Sequence, residues 1–107
     1  MTAKSVKAAA LSLLSRQAYT SARLSGKLSQ KGYTQQEIEE TIEWCNGERY
    51  LDDGAWARRA ASRKAEKGWE RRKIAAYLRY YGIGRDDIDA ALDALEELED
   101  TEEEIDE

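Results

Sequence analysis

Basic side chains are concentrated in one part of the sequence, and their spacing gives the clearest indication of binding chemistry. The segment from Arg58 to Arg85 contains ten bases and only two acids, so its local net charge is +8. Bases that recur every four residues line one face of a helix, and such a face can bind phosphates or the acidic surface of a protein. A solvated helix face without a partner is the alternative interpretation. The candidate partner-binding or nucleic-acid-binding residues are Arg58, Arg59, Arg63, Lys67, Arg71, Arg72, Lys73 and Arg79.

Three tyrosines lie beside this basic segment. Tyr77, Tyr80 and Tyr81 can stack on exposed nucleic-acid bases, because every base offers a flat aromatic face. Aromatic residues at helical spacing more often pack against a core, so at least two of the three are expected in core or rim positions. The tyrosines therefore permit nucleic-acid binding without requiring it.

The acidic residues are concentrated at the end of the sequence. The formal net charge is -5, but nine of the 22 acids lie between Glu96 and Glu107, where no base occurs. A solvated extension of the last helix explains this segment most simply. The alternative is that the acidic segment folds over the basic face and competes with polyanions. The overall charge is thus a poor guide to the partners of residues 58–85.

Two residue types that often carry out catalysis or bind metals, His and Cys, are scarce. His is absent, and Cys45, the only cysteine, lies on an apolar stripe with Ile38 and Ile42, which predicts a buried structural thiol. The seven glycines never form the pattern of a phosphate-binding loop. Helix capping explains the adjacent Asp52 and Asp53 better than Mg²⁺ binding does. The sequence therefore predicts neither an enzyme nor a protein with a metal or cofactor.

The composition favours an all-α fold. The 107 residues are 41% hydrophobic and 36% charged, and they include neither Pro nor Phe. Abundant Ala, Leu, Glu, Arg and Lys favour helices and leave few residues suited to strands. A single cysteine fits a reducing cytosol, and the apolar stretch from Ala8 to Leu14 is too short to cross a bilayer. We expect a cytoplasmic monomer without membrane contact.

The sequence repeats with a period of fifty residues and no gap. The recurring positions are Tyr19 and Trp69, Leu24 and Ile74, Leu28 and Leu78, Gly32 and Gly82, Tyr33 and Ile83, Glu37 and Asp87, Ile38 and Ile88, and Ile42 and Leu92. Because apolar positions and the glycine recur in register, we interpret each period as three short helices. The predicted fold is two tandem three-helix repeats, residues 1–50 and 51–98, packed into one elongated, curved helical body and followed by an acidic tail at 99–107.

Residues typical of helix ends mark the boundaries inside each repeat. Gly32 and Gly82 are each predicted to end a helix in the left-handed conformation, which costs glycine no steric penalty. Thr34 is predicted to cap the next helix while the carboxylate of Glu37 reaches back to the cap backbone. The connector between the repeats is predicted at residues 46–50.

These residues resemble the RecX family over roughly residues 12–95. In the first repeat the likeness is carried by Leu14-Ser15-Arg16, Tyr19 with Leu24, Leu28-Ser29-Gln30-Lys31-Gly32-Tyr33, and Tyr50-Leu51-Asp52-Asp53. In the second it is carried by Trp56-Ala57 at the family's Phe-Ala position, Lys67-Gly68-Trp69, Arg71-Arg72, Ile74, Leu78 and Tyr81-Gly82-Ile83. The Tyr-Leu-Asp-Asp connector and the basic Lys-Gly segment after it are the most specific part.

The resemblance implies a fold and a function. RecX proteins are built of tandem three-helix repeats, which agrees with the period of fifty residues. The resemblance implies a non-enzymatic regulator of homologous recombination that binds the RecA filament on single-stranded DNA and lowers its ATPase and strand-exchange activity. The family typically has three repeats and this sequence reaches two, so a short form is expected. A small helical module that binds nucleic acid through its basic face without RecA is the alternative.

Overall fold

A computed structural model describes residues 5–105, with side chains described through Leu98, and this part of the chain is built from helices alone. The six helices are α1 (Val6–Leu14), α2 (Ser21–Gln30), α3 (Gln35–Gly47), α4 (Asp53–Glu66), α5 (Arg71–Tyr80) and α6 (Arg85–Ile105). The predicted all-α fold is confirmed.

The chain divides into two compact units, Met1–Asp52 and Asp53–Glu107. The first unit contains α1 to α3 and the second contains α4 to α6, and within each unit every helix contacts the other two. The period of fifty residues is visible in the helix starts, since α2 and α5 begin at positions 21 and 71 and α3 and α6 at positions 35 and 85. Each unit is thus one copy of the same three-helix arrangement.

The first unit buries the apolar stripes that the sequence predicts. Its core consists of Ala9, Ala10, Leu24, Leu28, Ile38, Cys45 and Leu51. Cys45 has no exposed surface, as expected for a structural thiol. Burial raises the pKa of this thiol, and the positive charge of Lys7 offsets part of the rise. The thiol is therefore held in its neutral form at neutral pH.

The second unit has an equivalent core on its own three helices. The buried residues are Ala57, Ala60, Ala61, Ile74, Leu78, Ile83, Ile88 and Ala91. Trp56, Trp69 and Tyr77 pack against this core and are partly buried. The small alanines of α4 leave room for these large rings beside the core.

Four helices end in the same hydrogen-bonded turn. Gly32 and Gly82 have φ values of 95° and 84°, as predicted, and Gly68 adopts a φ of 87° after α4. Arg49 takes the same place after α3 with a φ of 63°. In each turn the residue after the left-handed one donates its N–H to a carbonyl in the last turn of the helix. Tyr50, for example, donates to the Cys45 carbonyl at 2.8 Å.

The turn at Arg49 shows that the predicted connector is wrong in its first two residues. Helix α3 continues through Asn46 and Gly47, so the connection to α4 comprises residues 48–52. The Asn46 amide donates to the Ile42 carbonyl at 3.0 Å, within the helix. The helix therefore ends where an arginine, rather than a glycine, adopts the left-handed conformation.

The predicted cap of α3 is confirmed. The Thr34 hydroxyl accepts the N–H of Glu37 at 3.1 Å, and the Glu37 carboxylate accepts the N–H of Thr34 at 2.8 Å. Thr20 caps α2 by accepting the N–H of Arg23 at 3.2 Å. Glu70, at the corresponding position before α5, makes no side-chain cap hydrogen bond. Of the equivalent helices α2 and α5, only α2 thus begins with a side-chain cap.

Helix α6 includes most of the predicted acidic tail. It runs without a break from Arg85 to Ile105, so the backbone of residues 99–105 continues the helix rather than turning back over α4 and α5. The interpretation of residues 96–105 as a helical extension is consistent with this course. The predicted tail residues 106 and 107, and the side chains beyond Leu98, lie outside the described part of the chain.

Candidate interaction surface of the second unit

The eight candidate basic residues lie on two neighbouring helices. Helix α4 carries Arg58, Arg59 and Arg63, and α5 carries Arg71, Arg72, Lys73 and Arg79, while Lys67 follows the last residue of α4 in the turn that contains Gly68. All eight side chains are exposed. The structure therefore places them on one unit but gives them different surroundings.

Arg71 is engaged with α6. Its guanidinium forms an ion pair with Glu96, with the nitrogen and oxygen 3.2 Å apart, and also donates to the Leu92 carbonyl at 3.2 Å. The two charged side chains are 50% and 58% exposed, so water screens their attraction. Arg71 therefore links α5 to α6 and shares its positive charge with an acid of its own unit.

Lys73 lies over an aromatic ring. Its ammonium is 4.1 Å from the centroid of Trp69, and the ammonium of Lys64 is 4.7 Å from the same ring. Lys64 is also 4.7 Å from the centroid of Tyr77, which meets Trp69 edge to face at 5.7 Å. The negative face of an aromatic ring attracts a cation. Part of the basic segment thus stabilises the junction of α4 and α5.

The rings of Trp69 and Tyr77 belong to a longer aromatic cluster. Tyr77 stacks on Trp56 at 6.5 Å and contacts Tyr81 at 4.8 Å, and Tyr80 meets Tyr81 at 5.2 Å. Tyr77 and Tyr81 are half-buried, which confirms that at least two of the three tyrosines pack, whereas Tyr80 is 74% exposed. Tyr80 is therefore the tyrosine of this cluster that presents most of its ring to solvent.

Four of the exposed arginines form two pairs, each on one face of a helix. Arg59 and Arg63 are four residues apart on α4, so they share a face of that helix. Arg72 and Arg79 are seven residues apart on α5 and share another. Tyr80 follows Arg79 directly. These guanidinium groups can form paired hydrogen bonds to phosphates or carboxylates, and the tyrosine can stack on a base or pack against a side chain.

Lys64 also lies in the basic segment and contacts its aromatic rings, although it was not among the candidate residues. Its role depends on the turn at Gly68, which folds Trp69 back toward α4, so helical spacing gave no indication of it. Within residues 5–98, three or more acidic, His or Cys side chains are nowhere arranged to hold a metal ion. Among the described helices, none combines the length and apolar character needed to cross a membrane.

Comparison with known proteins gives consistent matches. Residues 7–45 match the family model of RecX, first three-helix domain. The chain is similar to the regulatory protein RecX of Vibrio campbellii, with 35% identity over 88 residues that cover 82% of this chain and 57% of the relative. It is also 36% identical to the regulatory protein RecX of Cronobacter sakazakii over 62 residues, 58% of this chain and 38% of the relative.

A solved structure has the same fold. The crystal structure of a regulatory protein RecX superposes with a TM-score of 0.79 and 26% identity, over 84% of this chain and 45% of that one. The chain thus spans about half the length of the relatives that it matches.

Proposed function

The chain belongs to the RecX family, and from that premise we propose that it is a negative modulator of RecA recombinase. It would bind the RecA filament on single-stranded DNA and lower both its ATPase and its strand-exchange activity. The match in fold and sequence to a regulatory protein RecX over 84% of the chain is the observation that carries this proposal. The protein would act as a cytoplasmic monomer, by binding rather than by catalysis.

We propose that the contact surface centres on Arg59, Arg63, Arg72 and Arg79. Their side chains are exposed, and planar guanidinium groups suit the carboxylates of a protein surface or the phosphates of a strand. Of the other candidates, Arg58 and Lys67 would add charge at the edges. Arg71 and Lys73 would contribute less, because each already contacts a group of its own unit.

The test is the single-stranded-DNA-dependent ATPase of RecA at physiological salt, with the protein titrated in. We expect the wild type to inhibit, and a variant with all four arginines changed to Ala to need at least about tenfold more protein for the same inhibition. A matched control replaces Arg16, Arg23, Lys27 and Lys31 of the first unit with Ala, which removes the same charge. Equal loss in both variants would assign the effect to net charge, and no inhibition by the wild type would contradict the proposal.

A second candidate function is direct binding of single-stranded nucleic acid without RecA. The exposed Tyr80 beside Arg79 favours it, because an aromatic face next to a cation suits a base and its phosphate. Four phosphate contacts would give a slope of about -3 in log affinity against log salt. A steep slope with an oligonucleotide alone would support this candidate, whereas binding that requires RecA would support the first.

A further inference from the structure

Helix α5 carries a row of exposed side chains on the side that faces away from its own core. The helix buries Ile74 and Leu78, and the exposed row lies on the opposite side because of its spacing along the helix. Tyr80, the largest member of the row, is 74% exposed. We define the α5 stripe as the exposed residues Arg72, Ala76, Arg79 and Tyr80.

The equivalent side of α2 in the first unit has a different composition. The side chains fifty positions earlier are also exposed, but they are small or uncharged. The three-helix repeat therefore forms without arginine or tyrosine at these places, so the fold alone does not explain the α5 stripe. The equivalent residues of α2 are Ala22, Gly26, Ser29 and Gln30.

The exposed ring of the stripe is supported from behind by other rings. Tyr80 meets Tyr81 edge to face at 5.2 Å, and Tyr81 contacts Trp56 at 5.2 Å and Tyr77 at 4.8 Å. A side chain that is held in place before binding loses less conformational entropy on binding. Tyrosine and arginine are also enriched among the residues that dominate protein interfaces. The stripe therefore has the composition of a protein contact.

The charge of α5 and its contact with α6 indicate the chemistry of the partner. Helix α5 contains four bases and no acid. On another side it already packs against an acidic helix, since Arg71 pairs with Glu96 at 3.2 Å and every charged residue of α6 after Arg85 is an acid. The small Ala76 in the middle of the stripe allows a second helix to approach closely. The stripe thus suits an acidic helix with some apolar side chains.

We propose that the α5 stripe is a docking site for an acidic amphipathic helix of a partner protein, with Tyr80 as the apolar anchor and Arg72 and Arg79 as the partners of its carboxylates. The inference rests on the proposed function only for the identity of that partner, RecA. Single-stranded nucleic acid fits the stripe less well, because successive bases stack on several rings, whereas Tyr77 and Tyr81 are half-buried.

The first test uses the full chain and a synthetic helical peptide of two Glu-Ala-Leu-Glu-Ala-Ala-Leu heptads. We expect the peptide to shift the nuclear magnetic resonance signals of the Ala76 methyl group and the Tyr80 ring. Peptides with Gln in place of every Glu, or Ala in place of every Leu, should each bind at least about tenfold more weakly. Equal binding of all three peptides, no shift at these groups, or tighter binding of oligothymidylate of the same charge would overturn the proposal.

Variants of Tyr80 separate an apolar anchor from a base-stacking ring. Tyr80→Leu keeps apolar bulk, so it should bind the acidic peptide within about threefold of the wild type, whereas Tyr80→Ala should bind at least about tenfold more weakly. Equal losses in both variants would indicate stacking and contradict the proposal. Ala76→Glu places bulk and negative charge in the stripe without removing a ring contact, and it should also lose at least about tenfold. The matched control is Gln30→Ala, at the equivalent position of the first unit, and it should bind like the wild type.

The same variants in the RecA ATPase assay distinguish failure of this inference from failure of the proposed function. Peptide binding at the stripe by a protein that does not affect RecA would refute the proposed partner and leave the docking site standing. Inhibition of RecA that neither Tyr80→Ala nor Ala76→Glu weakens would overturn the docking site and leave the proposed function standing.

Discussion

The two three-helix units bury the same repeat positions on α2 and α5 but stabilise their helices with different chemistry. In the first unit Thr20 and Thr34 accept hydrogen bonds at the starts of α2 and α3, and Glu37 completes the second cap. The equivalent positions in the second unit hold Glu70, which makes no cap hydrogen bond, and Gly84, which has no side chain. The first unit therefore relies more on local hydrogen bonds.

The second unit relies instead on aromatic contacts between its helices. Trp56, Tyr77 and Tyr81 form mutual ring contacts at 4.8 to 6.5 Å, whereas the residues fifty positions earlier are Val6, Lys27 and Lys31. Ring contacts of this kind add about 0.5–1.5 kcal/mol each beyond the area that they bury, which is comparable with a helix cap. Two copies of a repeat can thus share core positions while one is stabilised mainly by helix caps and the other by contacts between aromatic side chains.

The largest expected effect tests whether the two cores are equivalent. Leu28 and Leu78 occupy the same position of the repeat, and neither has exposed surface. Changing either to Ala removes buried methyl groups and leaves a cavity, so each variant should lose about 2–5 kcal/mol in free energy of unfolding. Urea titration followed by circular dichroism measures the loss. A cost below about 1 kcal/mol in one variant alone would show that its unit is not packed as the other is.

The next effect tests the difference in caps. Thr34→Ala should cost about 0.5–2 kcal/mol, because the N–H of Glu37 loses its acceptor. Glu70→Thr gives the second unit the residue that caps α2, and it should add about 0.5–1 kcal/mol. Chemical denaturation of both variants measures whether the free energy of unfolding falls for Thr34→Ala and rises for Glu70→Thr. If neither Glu70→Thr nor Glu70→Ser stabilises the protein, α5 gains nothing from a cap.

Much of the fold could be predicted because its determinants are local in sequence. The stripe of Leu24 and Leu28, the left-handed Gly32 and the paired Thr34 and Glu37 all act within a few residues of one another, and the period of fifty residues repeats the pattern. The turn at Arg49 was missed because arginine rarely adopts a left-handed conformation and gives no sequence signal for it.

The candidate site was less predictable because its contacts join distant residues. Net charge identified the basic segment, but the pairing of Arg71 with Glu96 joins residues 25 positions apart and depends on how α5 meets α6. The position of Lys64 over Trp69 likewise depends on a turn between them. Composition therefore identified the basic segment, and only packing shows which of its side chains also contact groups inside the unit.

A smaller effect tests the turn at Arg49. Three of the four equivalent turns have glycine at this place, at Gly32, Gly68 and Gly82, whereas Arg49 holds a φ of 63° at a steric cost. Arg49→Gly should raise the free energy of unfolding by about 0.5–1 kcal/mol, after the added flexibility of the unfolded chain is subtracted. Thermal unfolding measures it. Arg49→Ala, which keeps the strain and loses the charge, is the control and should not stabilise.

The smallest effect concerns the link between α5 and α6. At the equivalent positions of the first unit the Asn46 amide donates to the Ser21 hydroxyl at 3.4 Å, so there the link is a neutral hydrogen bond rather than an ion pair. Arg71→Ala should cost about 0.2–1 kcal/mol, since both partners are half exposed and screened. A double-mutant cycle with Glu96→Gln isolates the ion pair from the hydrogen bond to the Leu92 carbonyl, and the coupling should shrink as salt rises from about 0.1 to 1 M. A coupling that persists in high salt would mean that Arg71 stabilises the unit through packing rather than charge. Loss of RecA inhibition by Arg71→Ala with unchanged stability would instead return this residue to the contact surface, beside Arg72 and Arg79.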